Sequence, residues 1–242
     1  MPKALPPAPA PAMEKSGMRG EFTLQRADRT PPRKGPRRTA ALSKAKVINA
    51  AIAEFARKGL DGARVDEVAR RSGVNKTLLY QYVGNKDRLF TAALEATYQT
   101  IRERQRNFLA RQMDPETGVR QLVHLLMSIW VEHPEYGKLL ASENFHGGKH
   151  VKRSKLIGEM YQQLIDALND LLKRGVAQGV FRSGIDAIDL YISISSLSAY
   201  YVGHQHTLNA LFHIDAMQPR RLQQREKHIV DMILRYVRLH PD

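Results

Sequence analysis

From Ser43 almost to the C-terminus, apolar side chains recur three and four residues apart, and no stretch alternates over a useful length. That spacing is the period of an amphipathic helix and leaves no segment suited to a half-buried strand. Val47, Ile48, Ala51, Ile52 and Phe55 form the first such stripe, closed at Gly59. The pattern predicts further helices over 65–72, after Asn75, over 85–112 and from Asp114-Pro115 to about 132. His133-Pro134 breaks the chain before another that ends at Phe145, and "HGGKH" reads as a loop. Helices over 151–178, 186–210 and 219–239 complete an all-α chain of about nine helices, with no internal repeat.

Charge divides this chain unevenly. Net charge is +14, and residues 1–92 hold 19 Lys/Arg against 8 Asp/Glu, whereas the remaining residues hold 19 against 16. A basic portion attached to a nearly balanced body points to a polyanionic partner at one end. Within it, 1–38 is Pro/Ala-rich and then basic ("RADRTPPRKGPRR") and reads as a disordered tail whose Arg33, Lys34, Arg37 and Arg38 could follow phosphates. The remaining divisions expected are 39–92, a small basic bundle, and 93–242, a larger helical body.

Several function classes are poorly served. Cysteine is absent, which removes disulfides, thiolate zinc sites and thiol nucleophiles. The proline-broken N-terminus is unlike a secretory signal, and no apolar run is long enough to span a bilayer, so no membrane association and a cytoplasmic location are expected. Neither a phosphate-binding Gly-rich loop, Gly-x-Ser-x-Gly nor His-Glu-x-x-His is present, so no enzyme and no cofactor are expected. His204 and His206 fall on different helical faces, and His146 and His150 lack an acidic cluster, so no metal site is expected.

The stretch "RRSGVNKTLLYQYVGNKDRL" carries the chemistry. Ala69 is small enough for a second helix to approach, and Gly73, four residues on, suits a turn with positive φ. Val68 and Val74 can pin that turn, and Asn75 is a good N-cap. Leu79 and Val83 then face inward together, which turns Lys76, Thr77, Tyr80 and Gln81 outward. This is the spacing of a helix-turn-helix whose second helix enters a major groove of double-stranded DNA. Gln, Thr and Lys can read base edges there. Leu78 also falls outward, which makes it either a thymine-methyl contact or a sign that the helix is rotated by about one residue, while Tyr82 and Lys86 suit phosphates.

Across about residues 43–92 the chain resembles the TetR family of transcriptional regulators. Phe-Ala-x-x-Gly ends the first helix, and Val-Ala-x-x-x-Gly-Val, Leu-Tyr-x-Tyr and Asn-Lys follow. The resemblance implies a three-helix DNA-binding domain joined to a ligand-binding, dimerising body, and a regulator that is most often a repressor. By position it assigns Lys76, Thr77, Leu78, Tyr80 and Gln81 to the reading helix, and Tyr82 and Lys86 to the backbone. Val65 stands where many members carry a phosphate-contacting Thr, a role Arg64 could take over, and Val83 stands where many carry Phe. "HPEYGKLLASENF" and "AYYVGHQHTLNALF" are similar to the pyrimidine-responsive subgroup, which implies a small polar or aromatic effector.

In the body, two apolar helices suggest a homodimer. Ile229, Met232, Ile233 and Tyr236 form one stripe of the last helix, and Val230 and Leu234 add a second face. With Ile192 and Leu197 of the 186–210 helix, beside small Ser residues, they are the expected four-helix interface about a two-fold axis. Effector candidates are the aromatics and polar tips His124, Trp130, Tyr136, Phe145, Tyr161, Tyr200, Tyr201 and His204. The expected function is a sequence-specific regulator released from a pseudo-palindromic operator by a small molecule. The alternative is an architectural DNA-binding protein with no effector.

Overall fold

The computed structural model describes residues 36–109 and 113–240, and side chains within 43–105 and 113–240. Its helices are α1 (Pro36–Gly62), α2 (Val65–Ser72), α3 (Lys76–Val83), α4 (Lys86–Leu109), α5 (Pro115–Glu132), α6 (Pro134–Phe145), α7 (Lys155–Ala177), α8 (Ala187–Gly203), α9 (Gln205–Phe212) and α10 (Pro219–Val237), with a 3₁₀ turn at Val151–Arg153. Phe181 and Arg238 form an isolated antiparallel bridge, and no strand is present among the described residues. From Pro36 onward the described residues form a single compact unit.

Local chemistry sets most helix starts. The Asn75 carboxamide oxygen accepts from the Leu78 N–H at 2.8 Å, and Asn85 does the same for Arg88 at 2.8 Å. Asp114 and Asp186 cap α5 and α8, accepting from Thr117 at 2.9 Å and Ile188 at 2.7 Å. Each cap satisfies N–H groups that have no partner inside the helix.

Three boundaries differ from expectation. α1 begins at Pro36, inside the segment read as a tail; residues 1–35, with Arg33 and Lys34, lie outside the described residues. The expected helix over 151–178 is broken at Ser154, whose hydroxyl restarts the chain as the cap of α7. The expected helix over 186–210 is broken at His204, which separates α8 from α9, so the described residues hold ten α-helices where about nine were expected.

Two apolar cores hold the helices. The first joins Phe55 of α1, Val68 of α2, Leu79 of α3 and Phe90 of α4, and it extends to Ile129, Leu139 and Ile157 of the body. The second joins α5, α7, α8 and α10 around Leu122, Leu168, Ile194 and Ile233. Trp130 packs against both. α7 carries Gly175 because the Phe181 ring lies where its side chain would be: a Cβ there would sit 2.0 Å from the ring.

Candidate nucleic-acid interface and effector region

α2 ends at Gly73, whose φ of 67° turns the chain into α3. Leu79 and Val83 are buried and fix the roll of α3. Lys76, Thr77, Tyr80 and Gln81 are thereby exposed together on one short helix that has no acidic residue. Lys76 reaches Asp66 of α2 at 2.8 Å, and this hydrogen bond holds the Asp66 carboxyl below its usual range and raises the lysine. Nearby, Arg70 and then Arg71 bind Glu67 and push its carboxyl down to about 2. Arg64 is exposed at the start of α2 and makes no side-chain cap there.

Three expected contacts are less exposed than the rest. Leu78 is half-buried and packs on the first core, because its position lies between the buried and exposed faces. Tyr82 is likewise half-buried against that core. Lys86 donates to the Asp61 carbonyl at 2.8 Å, so part of its hydrogen-bonding capacity serves the junction of α1 and α4.

Behind this bundle, the segment after α6 ties the body to α1 and α4. Glu143 accepts from the His150 N–H at 2.6 Å and the Val151 N–H at 3.0 Å, and its other oxygen meets His150 Nδ1 at 2.6 Å. The His150 ring packs edge-on against Phe90 at 4.9 Å. Lys149 pairs with Asp87 at 2.8 Å and lowers its carboxyl pKa, and the Ser154 hydroxyl donates to Glu95 of α4 at 2.7 Å.

The expected effector residues separate into groups. Tyr161 lies edge-on between Tyr98 of α4 and Tyr191 of α8, at 5.6 and 5.9 Å. Burial pushes the Tyr98 hydroxyl up to about 12 and raises Tyr161 and Tyr191 as well. Trp130 is half-buried, with its indole N–H buried and unpartnered; Tyr136 is buried and stacked on His133 at 4.5 Å. Tyr201 is half-buried beneath Arg225. The other four do not join an interior site. Phe145 is 91% exposed at the end of α6. His124 pairs on the surface with Glu226 at 3.0 Å, and Tyr200 and His204 are exposed and stacked on each other at 4.2 Å. Aromatic content named these four, but their helical phase carries them outward.

Sequence reasoning missed Tyr98, Arg102, Gln105 and Tyr191. The signal was available: 98, 102 and 105 are spaced as one face of α4, a polar stripe on a helix whose Ile101 is buried.

The expected dimer residues fall into two groups. Ile229 and Ile233 are buried in the chain's own second core, and Leu197 packs partly against it. Ile192 of α8 is 53% exposed, and Met232 and Tyr236 of α10 and Ile188 and Tyr200 of α8 are exposed to a similar degree. α10 has two apolar faces, and the one expected to meet a partner contributes its alternate turns to the core.

Two family models match this chain. Residues 115–233 match the family model "Tetracyclin repressor-like, C-terminal domain", and residues 47–93 match "Bacterial regulatory proteins, tetR family". The transcriptional repressor NicS of Pseudomonas putida is 29% identical over 192 residues, covering 79% of this chain and 91% of the relative. The repressor SCO4008 of Streptomyces coelicolor is 30% identical over 161 residues, 66% of this chain and 78% of the relative. The regulator RutR of Escherichia coli is 25% identical over 171 residues, covering 68% and 76%. In fold, the chain is similar to the crystal structure of FadR from Bacillus subtilis in complex with stearoyl-CoA, with TM-score 0.60 and 15% identity over 80% of this chain and 98% of that one.

Proposed function

The chain belongs to the TetR family of bacterial transcriptional regulators, and on that premise we propose that it is a homodimeric repressor released from its operator by a small organic effector. The observation that carries the DNA-binding part is the outward set Lys76, Thr77, Tyr80 and Gln81 on a helix anchored by Leu79 and Val83. Lys76 and Gln81 have the donors and acceptors to read base edges, and Thr77 and Tyr80 add hydroxyl contacts. Arg64 and Lys86 supply phosphate contacts that set register.

A dimer formed through Ile192, Met232 and Tyr236 presents two copies of α3. Two-fold symmetry then calls for a pseudo-palindromic site with half-sites about 34–36 Å apart. Effector binding acts on α4, which packs on α1 and α3 at one end and on α5 and α7 of the body. A ligand that favours one α4 position over another changes the separation of the reading helices, provided it binds the two states unequally. Division of labour at about residue 92 belongs to this reading.

Selection of bound fragments from genomic DNA tests it. Enrichment of one inverted-repeat sequence is expected. Binding that depends on fragment length and ignores sequence would overturn the operator reading.

A further inference from the structure

Among the described residues, buried polar atoms without a hydrogen-bond partner concentrate on α4 and its surroundings. They include Nη1 of Arg102, Nε2 of Gln105 and Nε1 of Trp130, the last on α5, which packs against α4. All three are N–H donors, and Gln105 is only 3% exposed. The Gln105 amide approaches the Tyr191 hydroxyl, yet its Nε2 completes no hydrogen bond. Arg102 has no carboxylate partner among the described residues: its one recorded hydrogen bond runs from Nη2 to the Gln163 carbonyl oxygen at 3.1 Å. Burial lowers its pKa. Glu143 is close enough to influence Tyr98, but its oxygens are taken by His150 and Val151.

The hydroxyl of Thr97, also buried and unpartnered on α4, can accept as well as donate, but the other three are donors only and one belongs to a guanidinium. A buried donor left unpaired is costly, and a guanidinium most of all, so the complement is a group that only accepts and carries negative charge. Tyr98 stands one turn before Arg102 on α4, and its ring, Tyr161 and Tyr191 meet edge-on in series, an arrangement whose edges and faces pair favourably with a flat ring. We propose that the effector is a small aromatic carboxylate, with its anion held by Arg102 and Gln105 and its ring set among the three tyrosines. The inference rests on the reading that this part of the body holds the effector and adds the ligand's chemical class.

The test is calorimetric titration of the full chain with benzoate and phenylacetate, against benzamide and benzylamine as neutral and cationic counterparts. Fluorescence of Trp130, the single tryptophan, provides a second readout. The acids are expected to saturate, with the amide and amine at least about tenfold weaker. Arg102→Gln should weaken acid binding about tenfold to a hundredfold, and Arg102→Lys should restore part of it. Unchanged melting temperatures of both variants would show that the fold survives. Amide or amine binding equal to acid binding, an unaffected Arg102→Gln variant, or no saturation by either acid overturns the proposal. Operator gel shifts separate the two readings. Acids that bind and leave DNA attached overturn effector release and support the ligand class; benzamide that binds as well as benzoate and releases DNA overturns the class and supports release.

Discussion

The backbone N–H of Leu60 donates to the side-chain oxygen of Ser142, 82 residues later, at 3.0 Å. Gly59, with φ 67°, breaks the helical ladder just before it, and the freed donor is taken up by α6 of the body. A buried amide therefore depends on a hydroxyl supplied by a distant helix.

Ser142→Ala removes that acceptor and leaves the donor buried. A loss of about 1–3 kcal/mol is expected in urea unfolding, because the desolvated N–H has no substitute. Ser142→Thr, which keeps the oxygen, should lose less. Equal stability of wild type and Ser142→Ala would contradict the contact.

On α3, exposure separates reading from folding. Gln81→Ala should weaken operator binding by about 1–3 kcal/mol and leave the melting temperature unchanged. Leu79→Ala should instead destabilise the fold by about 2–5 kcal/mol, since Leu79 is fully buried. Arg64→Ala, at an exposed phosphate-contacting position, should weaken binding to all sequences and reduce the salt slope by about one. Gel shifts at several salt concentrations, with thermal melts of the free protein, distinguish these outcomes.

The two faces of α10 give opposite phenotypes. Met232→Glu and Ile192→Glu place charges on exposed positions, so the expected product is a folded monomer by light scattering. Ile233→Glu buries an unpaired carboxylate and should abolish the cooperative unfolding transition itself. A dimer that persists in the first two variants would place the interface elsewhere.

His146 makes the tie between α1 and the body dependent on pH. Its pKa is raised, first by the Ser142 carbonyl and then by Asp61 at 3.4 Å. A raised folded value means that its contribution is fully present below the unfolded histidine value of about 6.5 and is lost as pH rises through the folded value. Stability should decline over that window, and His146→Gln should flatten the decline. An NMR titration placing His146 at or below the unfolded value would remove the basis for this effect.

Much was legible before any coordinates. Asn75 sits where only a capping side chain serves the N–H groups of α3, and Gly73 where positive φ suits the turn. Leu79 and Val83 are four apart, so the outward position of Lys76, Thr77, Tyr80 and Gln81 followed from helical period alone. These are local relations, set by residues within one or two turns of each other.

Residues at the edge of a stripe were settled by neighbours instead. Leu78 and Tyr82 lean on a core contributed partly by other helices, and the choice between the two apolar faces of α10 depended on α5 and α8. The polar face of α4 was decided in the same way: Tyr98, Arg102 and Gln105 share it, but only the packing of α7 and α8 brings Tyr161 and Tyr191 into series with Tyr98 and leaves donors unmatched. Period determines where a side chain lies on its own helix, so the sequence by itself determined an all-α fold and the outward face of α3. Which neighbour meets each face, and which polar atoms go without partners, are relations between distant segments, and the tertiary structure alone decided them.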